Sequence, residues 1–258
     1  MEMETYQHGV PSWVDIGVPD ADKSAAFYSS LFGWDCPPGA EDFGGYRLCT
    51  LRGLPVAGMG PQQNPGPTFW TPYVNVDSVD ETTAKVAANG GQAMMPAMDV
   101  MDLGRMAIFA DPAGAAFGVW QAGTFPGAGI VNEPGAFSWA ELITSDVDTS
   151  KAFYGAVLGW GAQTHGEGPG AYTEWQVDGT SISGMMAKPP DMPAEVPPYW
   201  GVYFSVVDTD ATVDRVKSLG GALYMGPADI EPGRFAVVAD PDGAVFNVIT
   251  LNPDHPAA

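Results

Sequence analysis

FYSSLFGW, from Phe27 to Trp34, returns as FYGAVLGW, from Phe153 to Trp160, a shift of 126 positions (153 − 27). SWVDIGVPD (Ser12 to Asp20) and SWAELITSD (Ser138 to Asp146) match at the same shift. RMAIFADPAG (Arg105 to Gly114) matches RFAVVADPDG (Arg234 to Gly243) at a shift of 129 (234 − 105). Blocks repeated in order over half a chain mark a duplicated domain. The expected division is 1–124, a linker over 125–134 (the Gly- and Pro-containing stretch after Ala122), and 135–258.

Within each half a simpler grammar runs twice. Trp13 to Val18 alternates like a strand, and Asp20 is placed to cap a helix whose apolar face holds Phe27, Tyr28, Leu31 and Phe32. Gly33 is placed to end it. Strands are expected at Tyr46–Leu51 and Pro55–Met59, with room for another between Trp34 and Tyr46. The pattern restarts with a strand at Trp70–Val76, a helix from Val79 to the Gly90–Gly91 stop, and three further strands, the last two joined by the turn Asp111-Pro112-Ala113-Gly114. The Pro-containing segments 61–67 and 188–198 occupy equivalent places and read as connectors or mobile loops. The fold class is therefore α+β, built from four β-α-β-β-β units, two per domain.

Composition narrows the partners. The net charge is −21 and only 10 residues are Lys or Arg, so no basic stripe is available for nucleic acid or an anionic membrane. No run approaches the length of a membrane span, and a cytoplasmic location is expected. Cys36 and Cys49 have no counterparts in the second half and read as free thiols of a reducing compartment. Two fused domains can pair within one chain, so a monomer or a homodimer fits.

The strand before a capped helix carrying FY…(L/F)GW, the helix stopped at GG, the DPxG turn and the doubling together resemble the vicinal oxygen chelate superfamily, which holds glyoxalase I, the bleomycin-resistance proteins and the extradiol dioxygenases. The chain is similar, more narrowly, to tandem two-domain actinobacterial proteins labelled hydroxylase or glyoxalase-like. The resemblance implies tandem glyoxalase/bleomycin-resistance-like domains, each of two βαβββ modules forming a half-open barrel with its ligand in the cup. It also implies where metal ligands stand in metal-using relatives. Those positions hold Trp13, Thr71 and Gly118 in the first half and Trp139, Gly201 and Asn247 in the second. Of these Asn247 alone offers a side-chain ligand, and a weak one. The three histidines, His8, His165 and His255, lie in the tails and a loop. No metal and no other cofactor is expected; a dinucleotide fingerprint and a haem or iron motif are missing too.

An aromatic wall replaces the chelating centre. Alternation puts Asp15 beside Trp13 and Glu141 beside Trp139, with Tyr73 and Asn75, and Tyr203 and Ser205, facing inward from the neighbouring strands. Met59 and Met185 end equivalent strands and either line the cups or plug the core; Tyr46 and Tyr172 could face either way. Glu141 and Asp15 are candidate acid/base groups, or acceptors of a neighbouring N–H. Arg105 and Arg234 anchor an anionic ligand or satisfy a carboxylate. Two functions follow. One is sequestration of an aromatic or polycyclic small molecule by a metal-free binding protein. The other is proton-transfer or tailoring chemistry in natural-product biosynthesis, with Glu141 or Asp15 as the base. Metal-dependent lyase, isomerase or dioxygenase chemistry is least favoured. Because Trp175 corresponds to Cys49, the cups are expected to differ, and the second, with Glu141 and Asn247, is the expected working site.

Overall fold

Asp20 accepts backbone N–H groups from Asp22 and Lys23 and starts α1 (Ala21–Phe32), which Gly33 stops in the left-handed region at φ 76°. Asp146 and Gly159 (φ 74°) do the same for α3 (Val147–Leu158). Glycine pays no Cβ penalty there, so the helix stop was readable from the repeated LFGW/VLGW. The structure, a computed structural model, describes residues 1–62 and 66–252, apart from the side chain of residue 169. Positions 63–65 of the segment 61–67, and the C-terminal tail with His255, lie outside the described residues.

The first half runs β1 (Pro11–Val18), α1, β2 (Arg47–Leu51), β3 (Leu54–Pro61), β4 (Trp70–Asn75), α2 (Val79–Ala88), β5 (Gln92–Val100), β6 (Gly104–Ala110) and β7 (Ala116–Ala122). The second runs β8 (Phe137–Thr144), α3, β9 (Gly161–His165), β10 (Tyr172–Val177), β11 (Thr180–Ala187), β12 (Tyr199–Ser205), α4 (Thr209–Ser218), β13 (Ala222–Ile230), β14 (Gly233–Ala239) and β15 (Val245–Leu251). Two sheets result, ordered β2-β3-β1-β4-β7-β6-β5 and β13-β14-β15-β12-β8-β11-β10-β9. Neither closes on itself, which matches the half-open barrels expected. In each, β1 or β8 runs antiparallel to the first strand of the following module and parallel to the last strand of its own.

The strand expected between Trp34 and Tyr46 contracts to a single bridge between Asp35 and Thr50. Beside that bridge Cys36 and Cys49 form a disulfide, which corrects the expectation of free thiols and removes the argument for a reducing compartment. The equivalent place in the second half is the cross-strand pair Ala162–Trp175. Trp175 is completely buried and packs on Tyr154 and Trp160 with ring centres 5.5 and 5.4 Å away. The bridge and the indole are thus two ways of filling one core position, and Trp175 does not belong to a cup.

One apolar core runs through both halves. The Tyr28 hydroxyl donates to Asp240 Oδ2 (2.9 Å) and the Tyr154 hydroxyl to Asp111 Oδ2 (3.1 Å), so each half's helix is bonded to the other half's DPxG turn. The remaining oxygen of each aspartate accepts two backbone N–H groups of its own turn. Trp70 and Trp200 donate to those same tyrosine oxygens. Trp34 donates to the Gly135 carbonyl and Trp160 to that of Gly9, again across halves. Buried polar atoms need partners, and here the partners come from the opposite repeat. The repeated aromatics Phe27/Phe153, Tyr28/Tyr154 and Trp34/Trp160 are core, as expected. Among the described residues no helix is long and apolar enough to cross a membrane.

Candidate functional site

Along β1, Val14, Ile16 and Val18 point to the helices and are almost fully buried, while Trp13 and Asp15 point to the other face, here the cup face. β8 repeats this with Ala140 and Leu142 on the core side and Trp139 and Glu141 on the cup side. Cross-strand register then sets two rows in each cup. Trp13 lies opposite Tyr73, and Tyr73 opposite Gly118; Trp139 lies opposite Tyr203, and Tyr203 opposite Asn247. Asp15 lies between Gly58 and Thr71, and Glu141 between Gly184 and Gly201. The Trp, Tyr and carboxylate residues singled out from the sequence are therefore brought to one face in each half.

The others fall differently. Met59 pairs with Ile16 and Met185 with Leu142, both fully buried on the core face. They plug the core and do not line a cup, which corrects the alternative that had them as ligand contacts. Asn75 stands at the strand end, its amide donating to the Tyr6 carbonyl (2.8 Å), and the N-terminal segment takes up that side chain. Ser205, its counterpart, is 4% exposed and its hydroxyl has no partner. The Asn247 amide reaches the Val202 carbonyl at 3.3 Å. Arg105 bonds Asp80 and Asp99, and Arg234 bonds Asp210 and Asp229; both satisfy surface carboxylates outside the cups.

Tyr46 and Tyr172, left open in the sequence, complete the two arrangements. The Tyr46 hydroxyl accepts from Trp13 Nε1 (3.0 Å) and donates to Asp15 Oδ2 (3.3 Å). The Tyr172 hydroxyl accepts from Trp139 Nε1 (3.0 Å) and bonds Glu141, which also accepts from the Tyr203 hydroxyl at 3.2 Å. These tyrosines lie across glycines. A Cβ on Gly58 would fall 1.6 Å from the Tyr46 hydroxyl, and one on Gly184 1.9 Å from that of Tyr172. The signal was present in the sequence as a Tyr and a mid-strand Gly both repeated at the same shift, since glycine inside a strand marks a close approach.

Burial dominates the electrostatics. Asp15 keeps some surface exposure, but protein packs closely around its carboxyl and pushes its pKa up to about 7 against the opposing hydrogen bonds from Tyr73 and Tyr46. Glu141 is raised for the same reason, against bonds from Tyr172 and Tyr203. Desolvation and the adjacent carboxylates hold Tyr46, Tyr73, Tyr172 and Tyr203 in the phenol form.

The two cups are not equivalent. Phe125, from the segment joining the halves, packs edge-on against Trp13 (5.0 Å) and Trp120 (6.0 Å) and ties the first cup's wall into the main core. In the second cup Tyr203, Phe235 and Ile249, with Trp139, Ala228, Val237 and Leu251, form an apolar group of their own, separate from that core. Glu174 pairs across from Gly184 where the first half has Leu48 across from Gly58. His165, expected in a loop, ends edge strand β9 opposite Tyr172, with Nε2 3.5 Å from Glu174.

A chelated divalent metal needs several strong donors converging on one point. Among the described residues no three of His, Cys, Asp and Glu come together. The positions that the resemblance gives to metal ligands hold Trp13, Thr71 and Gly118 in the first cup and Trp139, Gly201 and Asn247 in the second, with the Asn247 amide bonded to the Val202 carbonyl and the carboxylate beside each Trp already engaged by phenol groups. That donor set does not fit such a metal.

The sequence profile of the Glyoxalase/Bleomycin resistance protein/Dioxygenase superfamily matches residues 11–119 and 136–248. The chain is 42% identical over 259 residues to "Putative glyoxylase CFP32" of Mycobacterium tuberculosis, covering 97% of this chain and 98% of that protein. It is 39% identical over 275 residues to the anthracycline biosynthesis protein DnrV of Streptomyces peucetius, covering 99% and 98%. Among solved structures, the Mn(II)-bound glyoxalase from Novosphingobium aromaticivorans superposes with a TM-score of 0.64 at 18% identity, over 97% of this chain and 87% of that one. The last likeness is one of fold.

Proposed function

The chain belongs to the glyoxalase/bleomycin resistance protein/dioxygenase superfamily, and from that premise we propose that its second cup binds an aromatic or polycyclic small molecule, without a chelated metal, in the handling of a natural product. The observation that carries this reading is the make-up of one face: Trp139, Tyr203 and Phe235 as apolar wall, with the carboxylate of Glu141 held among them by two phenol hydroxyls. Ligand sites are mostly apolar with a few fixed polar anchors. The similarity to a protein of anthracycline biosynthesis supports a natural product as the ligand class. The net charge of −21 favours neither nucleic acid nor an anionic membrane as partner, and the chain acts as a monomer or homodimer.

Native mass spectrometry of the freshly purified protein tests this. An organic adduct on a metal-free chain is the expected result; a stoichiometric divalent metal overturns it.

The raised pKa of Glu141, and of Asp15 in the first half, favours a second reading, proton transfer in a tailoring reaction. Glu141 then takes a proton from a ligand C–H or O–H, while Tyr172 and Tyr203 fix the carboxyl. On that reading Glu141→Gln lowers turnover by about 100-fold or more while a neutral aromatic ligand still binds; unchanged turnover excludes it.

A further inference from the structure

We propose that the groove between the end of α1 and the start of α4, outside both cups, binds a small carboxylic acid with an apolar body, its carboxylate on Arg215 and the Val207 N–H and its body against Leu31, Phe32 and Val207. The site lies apart from the second cup and does not depend on that cup's ligand.

Leu31 and Phe32 of α1, Val206 and Val207, Arg215 of α4 and Pro134 of the joining segment line a groove of about 340 Å³. Small-molecule pockets begin at about 300 Å³ and are mostly apolar with a few polar anchors. Val207 is 78% exposed, more than any other large apolar side chain among the described residues. Its backbone N–H has no partner among the described residues. Arg215 stands out in the same way. Arg47, Arg52, Arg105 and Arg234 each bond a carboxylate. Among the described residues Arg215 pairs with none, in a chain with 31 Asp and Glu.

The first repeat shows what this place takes. The Gly9 N–H donates to the Asn75 carbonyl as the Gly135 N–H does to that of Ser205, and Ser78 caps α2 as Asp208 caps α4. His8 therefore corresponds to Pro134, Asp77 to Val207 and Lys85 to Arg215. In the first repeat the Asp77 N–H donates to His8 Nδ1 (3.1 Å), an acceptor that the chain itself supplies. Proline has no side-chain acceptor, so the Val207 N–H is left for an acceptor from outside. Acidic groups are withdrawn as well. Glu81, one helical turn before Lys85, is matched by Ala211, and Asp77 by Val207. The carboxylates that remain are engaged: Asp208 accepts the Ala211 N–H, and Glu133, next to Pro134, bonds the N-terminal ammonium and Arg52. A carboxylate placed here gains charge-assisted hydrogen bonds from the guanidinium and the N–H, while an apolar body covers the exposed Val207 side chain.

The probe is cyclohexylacetate, with cyclohexylacetamide as its neutral match, titrated into the full chain at constant pH and followed through the backbone amide resonances by NMR. The carboxylate should move the Val207 and Gly135 resonances saturably and bind about 10-fold or more tighter than the amide. Arg215→Gln should lower its affinity by about 10-fold and leave the amide within about threefold. Pro134→His, which supplies the acceptor that His8 gives the first repeat, should abolish binding. Should that variant fold poorly, Val207→Asp, which restores the acid found at position 77, carries the same expectation by repulsion. Lys85→Gln, the equivalent change in the first repeat, should alter nothing. Equal affinity for the two probes overturns the proposal, and so does a carboxylate preference that survives Arg215→Gln. Saturable movement confined to the Trp139 and Tyr203 resonances places the acid in the second cup; it overturns this site and leaves the reading of that cup standing. Binding of neither probe overturns this site alone.

Discussion

Asp15 and Glu141 occupy one structural position twice and differ by a methylene, yet each is gripped by the same Trp–Tyr pair. The energetics of Asp15 follow from its surroundings. Its folded-state pKa, about 7, lies above the unfolded value, so the folded protein holds the extra proton between them. The associated stability is fully present below the unfolded pKa and is lost as pH rises through about 7. Asp15→Asn removes that dependence. Relative to the parent, the variant should gain about 2 kcal/mol between pH 5 and pH 8.5, read from urea unfolding at the two pH values. A constant difference would show that water reaches the carboxyl freely. At this scale alternation along β1 and β8 made the Trp and carboxylate positions legible. It failed at Met59 and Met185, where neighbouring glycines leave the pattern without a clear inside and outside and only cross-strand register shows which face is which.

At the scale of elements, the helices and most strands were readable because caps, stops and periodicity agreed with one another at both copies. The segment after Trp34 was not. A strand there depends on a partner, and in the first half the pairing stops after the Asp35–Thr50 bridge. The cysteines misled for a related reason. Lack of a counterpart argued against a structural role, yet the repeat meets the same packing need with Trp175 and Ala162. The disulfide closes a loop with a sequence separation of 13. Reducing it, or the double change Cys36→Ala/Cys49→Ala, should cost about 2–3 kcal/mol, seen as a drop in Tm on adding reductant that the double variant does not show. A Tm indifferent to reductant in the parent would mean that the thiols are not joined in solution.

Across the whole molecule, the bonds Tyr28–Asp240 and Tyr154–Asp111 and the shared core make the two repeats one cooperative unit. Calorimetric and van't Hoff unfolding enthalpies should agree for the full chain. Tyr154→Phe, which leaves Asp111 Oδ2 and Trp200 Nε1 without their partner, should lower stability by about 1–3 kcal/mol, with a single transition retained; two resolved transitions would show halves that unfold separately. The cross-bonded turns also bear on how such a chain arises. Because each helix tyrosine finds its aspartate in the other repeat, a half-length ancestor could meet the same demands only by associating with its twin. Fusion makes that association intramolecular and independent of concentration. It also ends the obligation for both pockets to change together, and the two differ: Phe125 packs on Trp13 in the first, and the second has Glu174 where the first has Leu48.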